Sequence, residues 1–397
     1  PIYGFPDWET LVYDGFSPHQ DIISDRLAVL NTLPNVTRGA VVVPANTLMQ
    51  KLPPRVFTLG SSLQLDIGQH FDIDQMRGRL QANAYRCVEM VSGHGDFAVR
   101  GSIMDIFPMG SNLPYRIDLF DNEIESLRTF DPESQISIDR VEKVRLLPAR
   151  EFPLSDEAIN RFQDNWHQAF ESDPRNCPLY QDVSQGLSPA GIEYYLPLFY
   201  DQLESMFDYL PRDLLVFAGD IEATLRLYWE TASNRYENLR HDIQKPILPP
   251  KDILESPDEI FARLKAYPRI DLRSDNTEVK AKQDFSFKEL PDLTVNERGS
   301  SPFLKLKTFL KAGNRKVLIA TESNGRREVV DEALRKNDLQ PEIAADWRQF
   351  LSHSTSSLSL TVAPLERGFY DTGQEIVLLT EQQLSANGSC RKGAVSA

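Results

Sequence analysis

Cysteine is scarce in this chain: three in 397 residues, Cys87, Cys177 and Cys390. They lie far apart, are odd in number and form no C-x-x-C pair. That argues against a disulfide framework and fits reduced cytosolic thiols. Positive charge is also short. Lys and Arg number 43 against 58 Asp and Glu, a net charge of −15. Strong autonomous DNA binding normally needs a basic footprint, so only a local basic patch could support it. No apolar run reaches the roughly 18 residues that span a bilayer. No basic segment followed by an apolar one opens the chain, so neither membrane insertion nor secretion is indicated, and a cytoplasmic location is expected.

Catalytic signatures are missing as well. A phosphate-binding loop needs a Gly-Lys pair, and the dipeptide occurs nowhere. Asp331-Glu332-Ala333-Leu334 looks like a helicase DExx box, but it follows Arg326–Val330 in what reads as mid-helix, away from a strand end. No H-E-x-x-H, G-x-S-x-G or clustered Cys/His spacing is present. The six histidines are scattered, and His94, between Gly93 and Gly95, reads as an exposed turn residue. Asp72 and Asp74 read as helix-start carboxylates rather than metal ligands. No catalytic, cofactor-binding or metal-binding residues are therefore assigned.

What the chain does have is enough apolar residue, 41%, for globular cores. Its length implies two to four domains. Ile22, Ile23, Leu27, Leu30 and Leu33 define a helix over 21–33 that Pro34 stops. Ala40–Pro44 reads as a buried parallel-type strand, and Thr47 as the start of a short helix. From Val56 to Leu147 strands dominate: 56–59, 63–67, 85–91, 97–107, 115–120, 124–130 and 141–146, interrupted by a helix over 74–84. Pro148–Pro153 reads as a linker. The Ile159, Phe162, Trp166 and Phe170 stripe marks a core helix over 156–171. Tyr194, Tyr195, Phe199 and Tyr200 read as packing residues. A buried strand over 213–220 and a helix over 222–236 follow. Beyond Ser300 come a helix over 303–311, a strand over 316–321, a helix over 325–336 and strands over 358–362 and 375–379. Arg326-Arg327 reads as a solvated helix face. The segment from Ser385 has no apolar periodicity and is expected to be an unstructured or non-native tail, and the chain's ends read as cut.

The expected fold is multidomain α/β. Residues 1–55 and 148–298 form a doubly wound α/β domain, 56–147 an inserted α+β domain, 299–384 a small α/β domain of unknown role, and 385–397 the tail.

Residues 97–131 hold the most pointed signal. Strand-like runs are separated by turns at Gly110-Ser111-Asn112 and Asp121-Asn122. Alternation puts Arg116, Asp118 and Phe120 on one face and Ile117 and Leu119 on the other. The apolar pair can face a core. The other face then offers solvent a cation, an anion and an aromatic ring, and Arg and Phe are typical interface anchors. The bland reading has Arg116 bridging Asp118 or Glu123 within the sheet.

The same stretch carries a resemblance. Arg100-Gly101 through Asp105-Ile106-Phe107-Pro108, then Tyr115-Arg116-Ile117-Asp118 with Phe120-Asp121 and Glu123-Ile124, resembles the UvrB/Mfd module of bacterial nucleotide excision repair. Asp7–Thr10, Tyr13–Ser24, Pro44–Gln50, Pro189–Tyr194 and Glu322–Glu328 resemble the Mfd branch, the transcription-repair coupling factors. In UvrB the position after Tyr13-Asp14 carries a long aromatic hairpin that grips DNA. Here the loop runs straight into the helix, with Ser17 or Asp21 as its cap, which favours the Mfd branch.

The resemblance implies a UvrB-like α/β domain without a functional nucleotide site. It implies that 56–147 is a UvrA-binding domain using Arg100, Arg116 and Phe120, with Asp118 beside them. It implies a partner, UvrA, and no cofactor or catalysis in this chain. The family's ATP- and Mg-dependent motor, its RNA polymerase and duplex-DNA contacts, and a carboxy-terminal domain that masks the UvrA face would lie elsewhere. A fragment of a UvrB-type ATPase and a direct duplex-DNA-binding module are the alternatives.

Overall fold

A computed structural model describes residues 1–273, 287–296, 301–313, 315–352, 358–365 and 367–384. The expected tail, Cys390 and the boundary near Ser300 lie outside the described residues. The chain forms two compact units, divided between residues 275 and 276. The architecture is mixed α/β in more than one domain, as expected.

In the first unit the helix Gln20–Thr32 buries Ile23, Leu27 and Leu30, and a 3-10 turn containing Pro34 ends it. The same helix buries Arg26 completely. Its Nε lies 2.6 Å from Glu151 Oε1, its Nη1 donates to Pro6 O at 3.0 Å and Gln50 Oε1 at 2.9 Å, and its guanidinium lies over the Phe5 ring. A buried pair of this kind survives only when its remaining donors are satisfied, and these are. The segment 148–153 is consequently not a loose linker. Ala149, Glu151 and Phe152 are all buried, because Glu151 must reach Arg26.

Two parallel ribbons flank this core. Ala40–Val42 pairs with Ile2–Gly4, and Val216–Ala218 pairs with Arg269–Asp271. Both apolar runs were expected to be buried. Val42 and Phe217 are instead exposed, because among the described residues each ribbon has two strands only, with no helix layer over its outer side. One continuous doubly wound sheet is therefore not what these strands form.

The segment 55–60 is a helix, Arg55–Gly60, and not the strand that its Val-Phe-Thr-Leu composition suggests. Tertiary contacts override that local preference. Buried Thr58 pairs its hydroxyl with the Tyr209 hydroxyl at 2.8 Å, and its carbonyl accepts from Asn31 Nδ2. Asp72 caps the helix Ile73–Ala82 by accepting from Gln75 N at 2.9 Å, the role read from sequence. Trp166 and Phe162 are fully buried, and Tyr194, Tyr195, Phe199 and Tyr200 join the same core.

The inserted six-stranded sheet runs Arg86–Cys87, Asp96–Arg100, Ile103–Ile106, Tyr115–Phe120, Glu123–Phe130 and Ser137–Val141 in chain order. Only the first pair is parallel. Three differences from the sequence reading stand out. The run 97–107 is a hairpin, folded at Gly101, whose φ of 61° lies in the region glycine adopts freely. The run 85–91 shrinks to two strand residues, and the edge strand 137–141 was not anticipated. Phe97, Met104, Ile106, Ile117 and Leu127 fill the inner face against Met76 and Leu80 of the helix.

His94 is not idle. Its Nδ1 lies 2.7 Å from Asp21 Oδ1, its Nε2 lies 2.7 Å from Ser111 O, and its ring packs on Phe107. Nor is Ser17 or Asp21 the helix cap. His19 holds that position, while Ser17 donates to Glu193 at 2.7 Å and accepts from Gly191 N.

The second unit also has a six-stranded sheet. Lys316–Thr321 sits centrally, parallel to Leu358–Val362 on one side and Ile376–Thr380 on the other. Phe369–Asp371 and Phe287–Lys288 extend it antiparallel, so pairing begins ahead of residue 299. Asp331–Leu334 lies inside the helix Asn324–Arg335, with Asp331 paired to Arg335, so it has no strand end from which to reach a nucleotide. Arg326 pairs with Glu381 at 3.1 Å.

Candidate functional site

The outer face of the inserted sheet gathers the candidate residues, and cross-strand register decides how. The hairpin turn at Gly101 pairs Arg100 with Ile103 and Ala98 with Asp105. Asp105 in turn stands opposite Arg116, and Arg116 opposite Arg128. Asp118 faces Ile103 on one side and Ser126 on the other.

Asp105 is the centre of this face, and its side chain is fully buried. Arg116 grips it with two bonds, Nε to Oδ1 at 2.8 Å and Nη2 to Oδ2 at 3.0 Å. Arg100 donates to Oδ2 from the neighbouring strand. A fork matched to a carboxylate is the strongest of the common charged contacts, and here one carboxylate takes the Arg116 fork and a single bond from Arg100. Arg116 also donates to Gln135 O at 3.2 Å and lies over the Phe130 ring, 4.7 Å from its centroid. The bond to Asp105 raises the Arg116 pKa above its already high ordinary value, so the guanidinium stays charged.

The four sequence candidates share this face but not one environment. The Arg100 side chain is 51% exposed, whereas that of Arg116 is only 17% exposed. Arg116 is thus not the free cation that alternation suggests. Its partner is Asp105, and not Asp118 or Glu123. Asp118 is mostly covered, accepts from Ser126 Oγ at 2.6 Å and pairs with Arg128 at 3.3 Å. Phe120 is 68% exposed. Alternation runs unbroken through this strand, so Leu119 turns inward and Phe120 stays out, just before the turn at Asp121, while the register shift here falls on the partner strand at Glu125. Burying that ring against a partner is worth about 2 kcal/mol.

Sequence reasoning passed over Asp105, Arg128 and Phe130. Asp105 stood in the R-G-x-x-x-[D/E] pattern, and recognising Gly101 as a hairpin turn would have set it beside Arg100. Among the described residues no group of three or more His, Cys, Asp or Glu could hold a metal ion. No described helix is long and apolar enough to cross a membrane.

Residues 63–152, which include this face, match the UvrB interaction domain. Residues 309–384 match the MFD D3 domain, which covers most of the second unit. Over 396 residues the chain is 40% identical to the transcription-repair-coupling factor of Escherichia coli K12, covering 98% of this chain and 34% of that protein. The Haemophilus influenzae transcription-repair-coupling factor is 38% identical over 370 residues, 92% of this chain and 32% of that protein. The Bacillus subtilis counterpart is 29% identical over 215 residues, 51% of this chain and 18% of that protein. The chain's kinship is with the transcription-repair-coupling factors, as its motifs indicate, and it spans about a third of the length of the first two.

Proposed function

We propose that this chain is the UvrA-recruiting part of a transcription-coupled nucleotide excision repair factor and performs no catalysis itself. UvrA docks on the outer face of the inserted sheet. Phe120 is the anchor that a partner desolvates. Arg100 and Arg116 present their remaining donors to carboxylates on UvrA, and Asp118 sits at their side.

The observation that carries this reading is the pairing of a 68% exposed Phe120 with two arginines locked on one buried carboxylate. Such fixation lowers the ordering cost of binding. The match to the UvrB interaction domain supports the same assignment. On this reading the rest of the first unit is a UvrB-like α/β domain with no working nucleotide site. The whole factor's ATP-driven motor, RNA polymerase and duplex-DNA contacts, and a carboxy-terminal domain masking this face, lie outside the chain, whose place is the bacterial cytoplasm.

Without the mask, the chain binds UvrA with no trigger. A pull-down with the 397-residue chain tests this. UvrA is retained by the wild type and lost with Arg116→Ala or Phe120→Ala. Absence of UvrA retention, or retention indifferent to both substitutions, overturns the reading.

A further inference from the structure

We infer that the partner surface continues past Arg116 across two more strands to Arg140, and that this extension receives an acidic segment of the protein partner. The inference rests on the UvrA reading and widens its site.

Register supplies the first observation. Arg116 stands opposite Arg128, and Arg128 opposite Arg140, on three neighbouring strands. With strands about 4.8 Å apart, the row is about 10 Å long. Like charges directly opposite one another destabilise a sheet, so a row of three is not expected from folding alone.

The second observation is how unevenly the row is neutralised. Arg116 has Asp105, and Arg128 has Asp118 at 3.3 Å, with its own Nε buried and lacking a hydrogen-bond partner. Arg140 is exposed on the edge strand and, among the described residues, forms no ion pair. Counting Arg100, four arginines meet two aspartates on this face. With Glu123 counted as well, one positive charge is in excess on this face of a chain whose net charge is −15. Glu123 is opposite Phe120, at the end of the hairpin away from Arg140.

Charge complementarity selects the occupant. A protein segment with carboxylates about 10 Å apart meets Arg100 and Arg116 at one end and Arg128 and Arg140 at the other. A phosphate backbone fits less well, because Asp105 and Asp118 interrupt the cationic row and the exposed neighbour is a phenyl ring.

The test is the association rate of the full 397-residue chain with UvrA at low and physiological salt. Arg140→Glu lies on an exposed edge, and Arg145→Glu, exposed on another strand pair, is the control. Arg140→Glu is expected to slow association about tenfold at low salt and to flatten its salt dependence, with Arg140→Ala intermediate. Arg145→Glu is expected to match the wild type. If Arg140→Glu behaves like the control while Phe120→Ala still abolishes binding, the extension is wrong and the UvrA reading stands. If Arg140→Glu reduces retention on duplex DNA and leaves UvrA association unchanged, the row serves nucleic acid and the inference is overturned. If the wild type does not bind UvrA, both fall.

Discussion

The sheet of residues 86–141 and the sheet spanning Phe287 to Thr380 each have six strands but are covered differently: the first leaves Arg100, Phe120 and Arg140 exposed on one face. In the second, Val317 and Ile319 pack with Leu306 and Leu334 of two helices, while Leu318 and Ala320 pack on the other side with Phe350. Ile376–Thr380 is buried at every position. Strands covered on both sides read as continuous apolar runs and have no side chain to spare for a partner. Tyr115–Phe120 alternates, with its inner residues buried and its outer ones polar or aromatic. The outer face is held by ion pairs, with only a small apolar cluster of Val91, Ala98, Phe107 and Phe130 beneath one end. The difference teaches where function can be sought. The half-covered sheet must justify each charged or aromatic side chain that it displays, whereas the central strand of the covered one displays a charge at its first residue, Lys316, and is buried from there on.

The comparison can be broken at Asp105. Asp105→Ala leaves Arg116 mostly buried with no carboxylate and is expected to destabilise the first unit by about 3–5 kcal/mol in urea unfolding. A loss below about 1 kcal/mol would mean that ion pairing does not hold the outer face. The second sheet should fail by a different route. Ile319→Ala opens a cavity in a fully buried position and is expected to cost about 2–4 kcal/mol, with UvrA binding unchanged. Loss of binding in that variant would show that the second unit takes part. A smaller effect is expected at the hairpin. An added Cβ at Gly101 meets nothing within 4 Å, so Gly101→Ala costs only its left-handed backbone, about 1 kcal/mol, read as a shift of a few degrees in Tm.

The smallest effect is one of pH. Burial raises the pKa of Glu193, whose Oε1 has no hydrogen-bond partner. A raised carboxyl favours the folded state at low pH, and that contribution is lost as pH rises through its folded value. Glu193→Gln should therefore be more stable than the wild type at neutral pH, with the gap closing on acidification. A pH-independent gap would contradict this.

Much of this was legible in the residues. The turns at Gly110 and Asp121, the alternation over 115–120, the core helix with Phe162 and Trp166, and the central strand of the second unit all follow from local pattern. What escaped depends on register or on distant contacts. Gly101 was hidden inside an alternating run that reads as one strand, and with it went the Arg100–Asp105–Arg116 cluster. Helix 55–60 looked like a strand because Tyr209 and Asn31, the residues that hold Thr58, are remote in sequence. His94 looked idle because Asp21 lies 73 residues away. The exposed face read from alternation holds at Phe120 and fails at Arg116 and Asp118, whose burial is set by residues on neighbouring strands, while Arg100, which entered only through the resemblance, is half-exposed.

The central claim is that this open face binds UvrA through its exposed ring. The direct measurement is the affinity of UvrA for the wild-type chain and for Phe120→Ala, with Tm recorded for both. An unchanged Tm and binding at least about 30-fold weaker are predicted, the scale of an interface anchor. Equal affinities would contradict the account.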